Sequence, residues 1–280
     1  MNTETILDRF LIKDRVCVIT GGAGLLGDSH ARAVIDGGGI PVLLDISTER
    51  LEEEKSRLLN DYPDQKVEIY LANITKRDEL EEVCKKLVEK YGHVDILINN
   101  AANNPKVEGN SKNMGPLRFD NLPMEIWNDD IAVGLTGAFL CSQVFGKQME
   151  KQGKGVILNI SSDLGVIAPD QRIYKKEGVP DDEQSVKPVT YSVIKHGLIG
   201  LTKYLATYWA EKGIRCNAIC PAGVENGQDP KFVEKLVNLV PMGRMAHKDE
   251  YQGTVLYLIS DASAYMTGST VIIDGGRTCW

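Results

Sequence analysis

Two side chains four positions apart, Tyr191 and Lys195, carry the most pointed chemistry in this sequence. They open an apolar run, Val189-Thr190-Tyr191-Ser192-Val193-Ile194-Lys195-His196-Gly197-Leu198. On a helix, positions i and i+4 lie on one face. A phenol beside an ammonium is a paired acid and base, because the cation favours the phenolate and lowers the phenol pKa. By itself the pair also reads as a solvated helix edge, since Tyr-x-x-x-Lys is a common chance pattern. A second signal is Thr20-Gly21-Gly22-Ala23-Gly24-Leu25-Leu26-Gly27, which stands between a strand-like run and a helix-like one. Glycines there permit a tight turn and let the backbone approach a pyrophosphate, and the helix N-terminus offers free N–H groups. Gly21, Ala23, Gly24, Leu25, Leu26 and Gly27 are therefore candidate dinucleotide-binding residues. Asp45 closes the next strand-like run, 18 residues after Gly27. A carboxylate there accepts hydrogen bonds from the adenosine ribose and repels a 2′-phosphate. Ile46, Ser47 and Thr48 follow, with no Arg or Lys directly after, so the pattern favours NAD over NADP.

These residues need elements to hold them. Short β-rich apolar runs occur at 16–19, 41–44, 67–70, 96–98, 156–160, 215–219 and 271–273. Helical periodicity fills 26–36, 49–60, 77–91, 124–152, 191–212, 230–240 and 248–260 between them. Strict alternation predicts an α/β fold, a Rossmann-type doubly wound parallel sheet of about seven strands with helices on both faces. With no long linker or internal repeat, residues 1–280 read as one domain. Two segments are long for loops, 103–123 and 165–188, and both leave the C-terminal ends of strands, where open α/β sheets bind ligands.

The 280 residues are 42% hydrophobic and 25% charged, an ordinary globular composition. A net charge of −7 argues against nucleic acid or an anionic membrane as a partner. The six cysteines, Cys17, Cys84, Cys141, Cys216, Cys220 and Cys279, form no Cys-x-x-Cys pair, so reduced thiols and no metal site are expected. The polar, acidic start is unlike a signal peptide, and no apolar run reaches membrane-spanning length, so a cytoplasmic location is expected.

Further along come Asn99-Asn100-Ala101-Ala102, Asn159-Ile160-Ser161-Ser162, the Tyr191/Lys195 pair, Asn217-Ala218-Ile219-Cys220-Pro221, and Tyr265-Met266-Thr267-Gly268 leading to Asp274-Gly275-Gly276. In this order, from about Lys13 to Gly276, the chain resembles the short-chain dehydrogenase/reductase family. The resemblance implies that Tyr191 is the general acid/base on the substrate oxygen. It implies that Lys195 lowers the Tyr191 pKa and holds the nicotinamide ribose. Ser162 would hydrogen-bond the substrate oxygen, with Ser161 as the alternative. Asn100, Ala101 and Ala102 would line the adenosine and ribose side, Asn73 and Ile74 the adenine, and Pro221 to Val224 the nicotinamide amide. It also implies a homodimer or homotetramer.

Four features depart from the family pattern. Leu25 stands where the short subclass carries glycine, which is similar to the extended subclass of nucleotide-sugar epimerases and dehydratases. Gly134, in Val133-Gly134-Leu135-Thr136-Gly137, replaces the asparagine thought to hold a relay water. A water or the Gly134 carbonyl is the expected substitute, so Gly134→Asn is expected to keep or raise activity. Ser162 and Tyr191 are 29 positions apart, so residues 169–187 must loop out beside the substrate. Arg172, Tyr174, Lys175, Lys176 and Asp181-Asp182-Glu183 are candidate contacts there. Pro221-Ala222-Gly223 stands where Pro-Gly is usual, followed by Val224, Glu225 and Asn226.

The cover segment 221–241 is poor in aromatic residues, so the expected substrate is polar. The Leu-Leu turn and the insertion look similar to oxidoreductases of surface-sugar and flagellin-glycan pathways. The leading expectation is an NAD-dependent oxidoreductase interconverting a secondary alcohol and a ketone on a sugar-like molecule. The competing expectations are a nucleotide-sugar dehydratase or epimerase with tightly bound NAD, and a dinucleotide-binding protein without turnover.

Overall fold

The computed structural model describes residues 5–103 and 117–280. Seven parallel strands form one sheet: β1 (Val16–Thr20), β2 (Ile40–Asp45), β3 (Glu68–Leu71), β4 (Ile96–Asn99), β5 (Gly155–Ile160), β6 (Ile214–Pro221) and β7 (Thr270–Ile273). Their order is β3-β2-β1-β4-β5-β6-β7. The chain steps outward from β1 to β3, then returns to place β4 against β1 and steps the other way. The C-terminal edges of β1 and β4 therefore open a crevice between helices that leave in opposite directions. Most strand residues are buried on both faces, as a covered parallel sheet requires.

The helices are α1 (Leu25–Asp36), α2 (Thr48–Asp61), α3 (Arg77–Tyr91), α4 (Met124–Ile131), α5 (Gly137–Gln152), α6 (Val189–Tyr208), α7 (Pro230–Val237) and α8 (Gln252–Ile259). One core layer packs Leu80, Leu87, Cys141, Phe145, Met149 and Trp209 against the sheet. The other packs Ala31, Val34, Leu51, Leu58, Val255 and Leu258. Asp28, at the start of α1, is buried among Arg32 at 2.7 Å, Arg57 at 3.1 Å and the Lys248 ammonium, which ties α1 to α2 and to the turn before α8.

The run 124–152, read from periodicity as one helix, is interrupted. Residues Ala132–Thr136 form a π turn between α4 and α5. The turn contains Gly134, and a Cβ at that position would lie 2.7 Å from Ile194 Cγ2. The space an asparagine needs there is filled by the Ile194 side chain of α6, which would have to shift to admit Gly134→Asn.

Part of the expected loop 103–123 lies outside the described residues. The segment 165–188 is irregular, with 3-10 turns at Asp163–Gly165, Gln171–Tyr174 and Asp181–Glu183. It is nonetheless tied down. Buried Gln184 accepts the Lys176 N–H at 2.8 Å and donates to the Lys176 and Val179 carbonyls at 2.9 and 2.7 Å.

Candidate active site

The glycine turn shows why these residues bend as they do. Gly21 has φ +61°, and a Cβ there would approach Ala101 Cα to 3.0 Å. A Cβ on Gly27 would meet the Gly21 and Gly22 carbonyl oxygens at 2.5 Å. Glycine is therefore required where the turn crosses beneath β4 and where α1 meets the turn. The Thr20 hydroxyl accepts the N–H groups of Asn100 and Ala101, each at 3.0 Å. The Asn100 amide donates to the Thr20 and Gly21 carbonyls at 3.0 and 3.2 Å. The ends of β1 and β4 are thus laced together at the crevice. No side chain caps α1 at Gly24, and its first-turn residues Leu25 and Leu26 line the cavity, an arrangement that suits a pyrophosphate.

The cavity at this edge has a volume of about 850 Å³, the size of a small-molecule site. Gly21, Gly24, Leu25, Leu26, Asp45, Ile46, Asn73, Ile74, Asn100, Ala101, Ala102, Ser162, Tyr191, Lys195, Pro221 and Val224 all line it. Ala23 and Gly27 do not. Gly27 is buried under the turn, and the Ala23 carbonyl accepts a hydrogen bond from Arg50 at 2.8 Å. Asp45 and Asn73, at the ends of β2 and β3, mark one end of the cavity. Ser162, beyond β5, and Tyr191 mark the other.

The two serines diverge. Ser161 Oγ donates to the Lys195 carbonyl at 2.7 Å and so joins β5 to α6. Ser162 Oγ donates to Asp163 Oδ1 at 2.7 Å and accepts the Leu164 N–H at 3.2 Å. Asp163 is in turn paired with Arg277 at 2.7 Å, both side chains being buried. Lys195 is buried and donates to the Ile160 carbonyl at 2.8 Å. Its ammonium lies 5.6 Å from the Tyr191 ring centroid. The Thr190 hydroxyl donates to buried Asp130 at 2.6 Å, which fixes the start of α6 against α4.

Burial raises the Tyr191 phenol to about 12; the Ser162 hydroxyl opposes this and Asp163 adds to it. Burial lowers the Lys195 ammonium to about 8, and the charge of Lys187 adds to the fall. The lowering of the Tyr191 phenol by Lys195 that the resemblance implied is not found in the chain alone, where burial works against the charged form of both groups.

Asn99 and Asn159 serve the fold. Asn99 donates to Asn159 at 2.8 Å and Asn159 to Thr202 at 2.8 Å, a buried polar chain across β4, β5 and α6. Of the candidates in the insertion, Tyr174 lines the cavity and the others do not. Arg172 is held by Asp170 at 2.7 Å and Lys175 by Asp181 at 3.3 Å. Tyr174 stacks near Phe232, ring centroids 5.4 Å apart, and Leu236 and Met245 continue that wall. That end of the cavity is therefore part apolar, because the insertion adds Tyr174 to Phe232, the single aromatic of segment 221–241. Among the lining residues not foreseen are the cations Arg50, Lys187 and Arg277. Arg277 had a readable signal, since it directly follows Asp274-Gly275-Gly276.

Residues 15–174 match the short chain dehydrogenase family, and residues 182–278 match the family described as enoyl-(acyl carrier protein) reductase. The chain is 33% identical over 272 residues to 3-oxoacyl-[acyl-carrier-protein] reductase FabG of Thermotoga maritima, covering 95% of this chain and 98% of that protein. It is 32% identical over 275 residues to the NAD-dependent glycerol dehydrogenase of Listeria innocua, covering 96% of each. The crystal structure of a gluconate 5-dehydrogenase from Burkholderia cenocepacia, in complex with NADP and tartrate, superimposes with a TM-score of 0.82 at 25% identity, covering 99% of this chain and 100% of that one. Together with the sheet order, the glycine turn and the cavity, these likenesses show that the chain belongs to the short chain dehydrogenase family, enzymes that act on CH–OH groups.

Proposed function

We propose that this protein is an NAD-dependent oxidoreductase that interconverts a secondary alcohol and a ketone on a polar, sugar-like molecule, with Tyr191 as the general acid/base. The observation that carries this reading is the meeting of Tyr191, Lys195 and Ser162 at one end of a cavity whose other end presents Asp45. A bound nicotinamide would take or give the hydride. The rest falls to the chain. In reduction the neutral Tyr191 phenol gives its proton to the forming alkoxide, and in oxidation its phenolate form takes the alcohol proton. Lys195 supports the phenolate by its charge and would hold a ribose hydroxyl of the cofactor. Ser162 supports the substrate oxygen, and its own position is set by Asp163. Ser161 is assigned to structure because its hydroxyl is committed to the Lys195 carbonyl. Relatives named for glycerol, threitol and mannitol support a polyol-like substrate.

The NAD preference rests on Asp45. Arg50, which lines the cavity near it, favours a second reading in which NADP is also accepted. The relatives are divided on the cofactor. Melting temperature with NAD and with NADP separates the two, and a larger rise with NADP would reverse the preference. Exposed apolar residues on α5 and α6 support a homodimer or homotetramer.

The test of the activity is a screen of polyols, sugars and sugar acids with each cofactor, following absorbance of the reduced form. Tyr191→Phe is expected to lose roughly 10²- to 10⁴-fold in rate while keeping cofactor binding. Full activity in that variant would remove Tyr191 from the role.

A further inference from the structure

Ser162 carries one hydroxyl proton, and the structure shows where it is directed. Its Oγ donates to Asp163 Oδ1 at 2.7 Å, because a carboxylate paired with an arginine offers acceptors only. The same Oδ1 accepts the Leu164 N–H at 2.8 Å. Asp163 Oδ2 accepts from the Arg277 guanidinium at 2.7 Å. Both side chains of this pair are buried, and both residues line the cavity. The partners stand 114 positions apart, so the pair joins the C-terminal turn to the turn after β5.

The C-terminal turn is built to deliver Arg277. Asp274, directly after β7, accepts the N–H groups of Gly276 at 2.9 Å and Thr278 at 2.7 Å through its carboxylate. Its carbonyl accepts the Arg277 N–H at 3.3 Å. Gly275 and Gly276, with φ of +64° and +89°, reverse the chain, and the Met242 N–H holds the Gly275 carbonyl at 3.1 Å. Asp170 also feels the Arg277 charge, but its carboxylate is held by Arg172 at 2.7 Å.

A buried carboxylate without a cation grips a hydroxyl proton strongly, and its charge is costly away from water. A guanidinium on its second oxygen shares that charge. The Ser162 proton is then aimed by Asp163 and still available to an oxygen that gains negative charge, such as a substrate alkoxide at Tyr191. Ser162 stands close enough to matter there. Burial raises the Tyr191 phenol, and the Ser162 hydroxyl opposes the rise.

We propose that Arg277 is a positioning residue for the reaction: acting through Asp163, it sets the direction and the availability of the Ser162 proton. The proposal rests on the reading of the site as one that reacts a substrate alcohol at Tyr191. The competing roles for Arg277 are a direct substrate contact and a brace for the C-terminal turn.

Steady-state kinetics separates the three roles. The probes are glycerol, D-threitol, D-mannitol and D-gluconate, with NAD and with NADP, in alkaline buffer so that Asp163 keeps its charge. The probe that wild type oxidises fastest is carried through the variants. Arg277→Met is expected to lower kcat about tenfold or more, while KM and the rise in melting temperature with NADH change little. Arg277→Lys keeps the charge and should retain more of the rate. Adding Asp163→Asn to Arg277→Met removes the stranded carboxylate and should recover part of the lost kcat. Arg277→Gln is a second neutral variant with the same expected loss, for use if the methionine variant does not fold.

A wild-type kcat in the neutral variants would overturn the proposal. So would a loss carried by KM alone, the mark of a direct contact. A loss that neither Arg277→Lys nor the added Asp163→Asn relieves would also overturn it, and marks a brace. Wild-type protein inactive on every probe would overturn the hydride-transfer reading and this proposal with it, whereas an active wild type leaves that reading standing whatever the variants show.

Discussion

Lys195 is a buried charge, and its cost can be read from the pH dependence of stability. Its folded value is about 8, against an ordinary 10.5, chiefly because of burial. Between those values the folded protein holds fewer protons than the unfolded chain, so this group makes stability rise with pH across that window. Below pH 8 the whole cost is present, on the order of 3 kcal/mol. Lys195→Met removes it. The melting temperature of the variant relative to wild type should therefore be most favourable below pH 8 and should decline toward pH 10. Tyr191 works in the opposite sense, since its raised value costs stability only as the pH climbs from 10 toward 12. A difference that stays flat between pH 8 and 10 would show that the lysine does not titrate there. At this scale the sequence revealed what residue type and spacing alone encode. Tyr191, Lys195 and Asp45 stand in a pattern that their chemistry requires. Lys187 is also four positions from Tyr191, but it precedes the start of α6, so helical spacing does not place its ammonium over the Tyr191 ring. Arg50 likewise arrives through tertiary approach, whereas Arg277 was readable from its place directly after Asp274-Gly275-Gly276. The choice of Ser162 over Ser161 gains a physical reason only when the Ser161 hydroxyl is seen on the Lys195 carbonyl.

Among the elements, the junction of α4, the π turn and α5 controls how closely α6 approaches. Periodicity at 124–152 shows one apolar pattern and carries no sign of the extra residue in the turn Ala132–Thr136. The strands and the other helices were legible, since β-rich runs and 3.6-residue periodicity are local properties. What a glycine makes room for is not local. Gly134 lies 60 positions from Ile194, yet a Cβ on it would stand within 2.7 to 3.3 Å of three Ile194 carbons. Ile194 precedes Lys195, so pushing it away disturbs the face of α6 that carries Tyr191 and Lys195. Gly134→Asn is expected to lower stability by about 1–3 kcal/mol, as other overpacked cores do, and to lower activity with it. Adding Ile194→Ala should recover part of the stability loss by opening the space. Denaturant unfolding of the two variants is the measurement, and an unchanged midpoint for Gly134→Asn would show that Ile194 yields at no cost.

For the molecule as a whole, the open question is what covers the outer face of α6. Val193, Tyr204 and Tyr208 are exposed there, the two tyrosines at 62% and 63%, and their rings stack with centroids 5.7 Å apart. They recur at helical spacing with the exposed Gly200, and Phe139 is exposed on α5. An apolar stripe of this kind costs free energy while it faces water and gains when it meets another copy of itself across a two-fold axis. Gly200 leaves open space where a Cβ would stand, which permits close approach of a second helix. Tyr204 and Tyr208 lie at the far end of α6 from Tyr191 and Lys195, and both are mostly exposed, so changes there should leave the fold intact. Tyr204→Glu with Tyr208→Glu would place four carboxylates near the axis of a dimer. Sedimentation of wild-type protein at micromolar concentration should show a dimer or tetramer, and the double variant should shift toward smaller species by at least tenfold in dissociation constant, or about 1.4 kcal/mol. Its melting temperature at high dilution should match that of the wild type. A wild-type monomer, or a double variant that associates as before, would mean that this face is not the one the subunits share.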